Sequence, residues 1–202
     1  MTTAEGGMII LKNKKLYNKI KINRALGINK NFSERKIPGL YDAINLGFNY
    51  RMSEIHATIG VEQLKKLPTF LKKREINFNF LFKKLKKFND IKVLSSINKD
   101  CKNSFYCLTI VLMKNIAKFR NKIIMQLKNS GIGISVYYPQ PVPRMTYYKK
   151  KYGYKSHNFK NAEQISDFSI ALPVAPHLTT KHMSYIFKNL KKIIGKIKNE
   201  RN

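Results

Sequence analysis

The apolar residues change their spacing near residue 90, and that change limits the folds open to this chain. Before it, Phe78, Leu81, Phe82, Leu85 and Phe88 recur at helical intervals, while Lys72, Lys73, Lys83, Lys84, Lys86 and Lys87 fall between them and can stay in water. After it, residues 91–94, 105–113 and 132–138 read as short strands. Phe119, Ile123, Ile124 and Leu127 mark a helix between the last two, ending near Gly131. A helix over 162–168, a strand over 170–174 and a final helix capped by Thr180 follow. The final helix carries Met183, Ile186, Phe187, Leu190, Ile193, Ile194 and Ile197 on one side. Strands and helices mixed in this order, with no glycine-rich linker, predict an α/β or α+β domain from about residue 90.

The first third of the chain is less regular. Gly6 and Gly7 precede the apolar run 8–11, which suggests a tight loop feeding a short buried strand. Leu16, Ile20 and Leu26 space a helix within 14–26, and the polar stretch 27–45, broken by Pro38 and Gly39, reads as a loop. Ser53 can cap a helix that includes Ile55, Ile59 and Leu64, and Pro68 suits the first turn of another.

Charge is the unusual bulk property: 40 Lys and Arg against 11 Asp and Glu give a formal net charge of +29. Such a surface attracts polyanions. Lysine dominates it, however, and bidentate recognition of phosphates and bases leans on arginine. Lys, Asn and Ile are abundant together, as A- and T-rich codons would make them. Lysine on solvated helix faces therefore accounts for the charge without a nucleic-acid partner. With 43% hydrophobic and 25% charged residues, the chain has the composition of a folded protein and not of a disordered tail.

Common site chemistries find no support. His56, His157, His177 and His182 are scattered, without metal-ligand spacing, so no metal is expected. Gly131-Ile132-Gly133 lacks the third glycine of a dinucleotide loop. Cys101 and Cys107 form no CxxC pair and read as free thiols in a reducing cytoplasm. The run 8–11 is too short for a membrane span.

Several ordered segments do carry a signature. Thr2-Thr3-Ala4-Glu5-Gly6-Gly7 is followed by Leu46-Gly47-Phe48-Asn49-Tyr50-Arg51-Met52-Ser53-Glu54, and then by Gln63-Leu64-Lys65-Lys66-Leu67. Further on stand Gly131-Ile132-Gly133-Ile134-Ser135-Val136-Tyr137-Tyr138-Pro139, Asn161-Ala162-Glu163-Gln164-Ile165-Ser166 and Ala171-Leu172-Pro173-Val174-Ala175-Pro176-His177-Leu178-Thr179. In this order they resemble the later half of the DegT/DnrJ/StrS family of pyridoxal-phosphate-dependent sugar aminotransferases.

The resemblance implies an α/β fold: the C-terminal portion of a fold type I transferase, with the end of the large domain plus the small C-terminal domain. It assigns 1–67 to a remnant of the large cofactor domain and a dimer-interface loop, 68–90 to a connecting amphipathic helix and 91–202 to the small domain. It implies transfer of an amino group, usually from glutamate, to a nucleotide-linked keto sugar, in amino-sugar or cell-surface polysaccharide biosynthesis. The cofactor would be pyridoxal 5'-phosphate, and the complete enzyme a cytoplasmic homodimer. Asn49 and Arg51 are implied at the cofactor, and Tyr137, where many members carry His, at the substrate. Glu163 and Ser166 are expected to hold the small domain together. The cofactor-bearing lysine is expected upstream of Met1, so no catalytic residue is assigned and the chain alone is expected to be inactive. A separately encoded N-terminal half could supply that lysine. The alternative is a non-catalytic basic module on the same scaffold, holding nucleic acid or another polyanion.

Overall fold

The computed structural model describes residues 1–95, 100–155 and 158–200. The chain divides into two compact units, Met1–Leu67 and Pro68–Asn202.

The first unit is held together by backbone hydrogen bonds and not by a core, since every fully buried apolar side chain among the described residues lies at Phe78 or beyond. Residues 8–11 form no strand, which corrects the expectation of a buried one: Met8, Ile9 and Ile10 are exposed. Helix α1 (Lys14–Asn23) is capped by Asn13, whose Oδ1 accepts from the Leu16 amide at 3.0 Å. Beyond it, Leu26 N donates to Phe48 O, Phe48 N to Asn23 O and Tyr50 N to Arg24 O, at 3.0, 2.7 and 2.8 Å. This clasp requires two glycines where the segments cross. A Cβ on Gly27, at φ +72°, would lie 1.8 Å from Asn45 O, and one on Gly47 would lie 2.0 Å from Gly27 N.

Helix α2 (Glu54–Leu85) runs unbroken where two helices were expected, with Pro68 inside it. Ser53 starts it, its Oγ accepting from the His56 amide at 3.3 Å. An interior proline removes one hydrogen bond and costs about 3 kcal/mol. Pro68 is exposed, so water can serve the carbonyl left without a donor, and the apolar stripe beyond it can outweigh the cost.

In the second unit, β1 (Ile91–Val93), β2 (Leu108–Leu112) and β3 (Ser169–Leu172) form an antiparallel sheet in that order. Ile91 pairs with Leu112, and Ile110 with Ile170. A 3-10 turn (Lys114–Phe119) leads into α3 (Arg120–Asn129), and α4 (Thr146–Tyr152) and α5 (Lys160–Phe168) precede β3. Helix α6 (Thr180–Asn199) closes the unit. Phe78, Leu81 and Leu85 of α2, Ile123 and Leu127 of α3, the sheet, and Met183, Ile186, Leu190, Ile193, Ile194 and Ile197 of α6 share one apolar cluster.

Three expectations need adjustment here. Residues 132–138 make a single bridge, Ser135 to Ala171, instead of a strand. Pro139 and Pro141 follow at once and carry no N–H to extend a ladder. Strand β3 stops at Leu172 because Pro173 comes next. The cap of α6 is Thr179 and not Thr180: its backbone N–H donates to His182 Nδ1 at 3.0 Å, in a capping box. Glu163 and Ser166 are buried in α5, and the Arg120 guanidinium donates to Ser166 O at 2.6 Å.

The uneven core sets an expected outcome. Leu81→Ala, at a fully buried position, is expected to lower stability by about 3 kcal/mol in chemical denaturation. Ile10→Ala is expected to change it by less than about 0.5 kcal/mol. Amides of β2, β3 and α6 are expected to exchange with solvent more slowly than those of residues 1–50, and equal protection would contradict this division of the core.

Candidate functional site

The clasp of the first unit presents two of the three residues singled out by sequence. Asn49 bridges Ala25 across it, and Arg51 lies two residues on. Arg51 Nε donates to Asn49 Oδ1 at 3.3 Å, which turns the Asn49 amide NH₂ away from the guanidinium. Both side chains are exposed, and among the described residues no carboxylate pairs with Arg51. Phe48 and Tyr50, on either side of Asn49, stack on each other at 5.1 Å between centroids. Among the described residues the N–H groups of this pair have no protein acceptor beyond their mutual contact, an arrangement suited to an anion.

The N-terminal signature lies beside this segment. The side of Gly6 is closed by Met52, whose Cε is 2.6 Å from where a Cβ would stand. Two stretches far apart in sequence are thus neighbours within the first unit.

Tyr137 belongs to the second unit. Its hydroxyl is 3.3 Å from that of Tyr106, and its ring lies 5.8 Å from Tyr106 and 5.7 Å from Tyr138. The peptide bond between Tyr137 and Tyr138 is cis. The hydrogen bond to Tyr137, and then the charge Tyr137 would carry, raise the Tyr106 pKa above the ordinary phenol value. Tyr106 and Tyr138 are exposed, so the three phenols offer hydroxyls and ring faces to a polar ligand.

Sequence reasoning missed three of these polar contacts. Tyr106 stood inside an apolar run, and its partner is 31 residues away. Asn77 could have been noticed, because a lone amide sits on the apolar stripe four residues before Leu81. It is buried and donates to Ala175 O and Leu178 O, both at 3.1 Å. Arg144 forms a two-pronged pair with Asp167, and that hydrogen bonding holds the guanidinium pKa above its usual value despite partial desolvation.

Among the described residues no cluster of three His, Cys, Asp or Glu could hold a metal ion, and no helix is long and apolar enough to cross a membrane. His157 lies outside the described residues. Cys101 and Cys107 are free thiols.

Comparison with known proteins adds a family. The model of the DegT/DnrJ/EryC1/StrS aminotransferase family matches residues 1–191. A UDP-4-amino-4,6-dideoxy-N-acetyl-beta-L-altrosamine transaminase of Campylobacter jejuni is 32% identical over 202 residues, covering 98% of this chain and 50% of its own. A GDP-perosamine synthase of Escherichia coli is 30% identical, covering 94% and 48%. Among solved structures, Helicobacter pylori PseC, an aminotransferase involved in the biosynthesis of pseudoaminic acid, superposes with a TM-score of 0.86 at 26% identity, over 97% of this chain and 50% of that one. The chain spans about half the length of the curated relatives it matches.

The phenol pair gives a direct test. Tyr137→Phe is expected to return the Tyr106 phenol towards its ordinary range, read as tyrosinate absorbance in an alkaline titration. An unchanged midpoint would mean that the two hydroxyls do not interact in solution.

Proposed function

Because the chain belongs to the DegT/DnrJ/EryC1/StrS aminotransferase family, we propose that it supplies the C-terminal part of an enzyme that passes an amino group, from glutamate, to a nucleotide-linked keto sugar. The observation that carries this reading is the outward-facing donor pair of Asn49 and Arg51. Its chemistry fits the phosphate of pyridoxal 5'-phosphate: an amide N–H and a guanidinium that, among the described residues, pairs with no carboxylate. The chemistry that the bound cofactor supplies is that of an electron sink for the carbon that gains or loses the amino group.

In this reading Asn49 donates to the phosphate and Arg51 balances its charge. The clasp between 23–27 and 45–50 fixes where both stand. Tyr137 meets the sugar nucleotide with its hydroxyl, and Tyr106 orients that hydroxyl through the hydrogen bond between them. A phenol O–H oriented in this way can donate to a sugar oxygen.

The first unit, residues 1–67, is then the edge of the large cofactor domain with its dimer loop, 68–90 is the connecting helix and 91–202 the small domain. The lack of a core in the first unit supports this assignment, since Met8, Ile9, Ile10, Leu46 and Ile55 would be covered by the rest of the large domain. The complete enzyme is a homodimer in the cytoplasm, where free thiols persist.

The test is complementation. The chain, mixed with a polypeptide carrying the lysine-bearing half of a family member, is expected to retain pyridoxal phosphate, seen by its visible absorbance, and to transfer an amino group to a nucleotide-linked keto sugar. Asn49→Ala is expected to weaken cofactor retention by roughly tenfold or more, as for a lost hydrogen bond to a charged group. A mixture that holds no cofactor, or full retention by the variant, would defeat the proposal.

A further inference from the structure

Lysines and phenylalanine rings line one cleft of the second unit together. Where α2 ends beside α6, Phe80, Phe88 and Phe187 form the floor of an open cleft of about 640 Å³. Lys83, Lys84, Lys86 and Lys87 complete its lining, with no carboxylate among the lining residues. Phe88 meets Phe187 edge-on, 5.6 Å between centroids. Lys84 Nζ stands 5.1 Å from the Phe80 ring and 5.4 Å from the Phe187 ring. The three rings are half-buried, while Lys83, Lys86 and Lys87 are exposed.

A helix C-terminus carries a partial charge of roughly −0.5, which a single cation offsets. Four lysines therefore leave a surplus of about three charges at the end of α2. Drift of composition explains lysine on a solvated face, and Phe80 of α2, Phe187 of α6 and Phe88 just after α2 pack against the core. Their half-exposed faces nonetheless line the cleft together with the four lysines, and Lys84 stands over two of them.

We infer that this cleft binds single-stranded nucleic acid, with bases laid against the phenylalanine rings and phosphates met by the lysines. Aromatic rings accept any base, and ammonium groups are point charges that neutralise phosphates without fixing their geometry, so the binding is sequence-tolerant. The recessed rings argue against an anionic membrane, which needs apolar groups that reach outward past the charges. An acidic peptide is disfavoured because the lining side chains, phenyl and ammonium, offer its N–H groups no acceptor. This site is independent of the aminotransferase reading, since it uses neither Asn49 nor Tyr137.

The test uses the whole chain and a fluorescent oligo-dT strand, followed by anisotropy over a range of salt. Replacing Lys83, Lys84, Lys86 and Lys87 by Gln is expected to weaken binding about tenfold or more and to reduce the log–log salt slope by about 3, the value for four phosphates of a single strand. The same replacement at Lys14, Lys15, Lys19 and Lys21, exposed on α1, removes equal charge and is expected to cost about twofold or less. Phe187→Leu is expected to weaken oligo-dT binding roughly fivefold while leaving heparin, which has no bases, unchanged. Equal losses from the two lysine sets would overturn the inference. So would a Phe187→Leu variant that binds oligo-dT normally, or tighter binding of polyglutamate or phosphatidylserine vesicles that the cleft replacements abolish.

Discussion

The second unit depends on the junction at which the C-terminal half of α2 meets the sheet and α6. Leu81, Leu108, Ile110 and Leu172 are fully buried, and Leu85 and Leu190 nearly so. Burying side chains of this size contributes about 1.5–3 kcal/mol each relative to exposure, which outweighs the proline that interrupts hydrogen bonding upstream in the same helix. Asn77 adds direction to this otherwise apolar contact, because its amide reaches two carbonyls in the loop after β3. Hydrophobic burial fixes that α2 packs here, and the buried amide helps fix its register.

The first unit is organised differently. Its order comes from paired backbone segments, and its large apolar side chains face outward. A loop held by its own backbone can carry exposed polar groups at set positions, which is what recognition requires. Asn49 and Arg51 are held in that way, and the Glu5-Gly6-Gly7 stretch lies close by through Met52. In the function proposed above these are parts of one cofactor region, although some 40 residues of chain separate them.

The stripes of Phe78 to Leu85 and of Met183 to Ile197 were legible because helical periodicity is a local signal. β1 and β2 were legible as β-rich runs. Residues 8–11 were misread because an apolar tetrad looks the same whether it is buried within its own unit or left facing outward. Pro68 was misread because its position in a helix turns on tertiary packing that no local rule records. At the site, Asn49 and Arg51 emerged only through the resemblance of Phe48-Asn49-Tyr50-Arg51-Met52-Ser53, since their residue types alone mark no chemistry. The Tyr106 to Tyr137 contact and the meeting of Phe88 with Phe187 join residues far apart in the chain, so neither could be read from spacing.

The crossing of Gly27 and Gly47 has a modular consequence. Both ends of the intervening loop are fastened there, by Leu26 N to Phe48 O and by Ile44 N to Gly27 O. Closing a longer loop between fixed ends costs little, about 0.6 kcal/mol per doubling of length. The span between them can therefore be lengthened, shortened or exchanged for a foreign cassette while the residues just past the crossing keep their station. Variety and precision occupy adjoining stretches of one backbone, divided by a knot of two residues that have no side chains to spare.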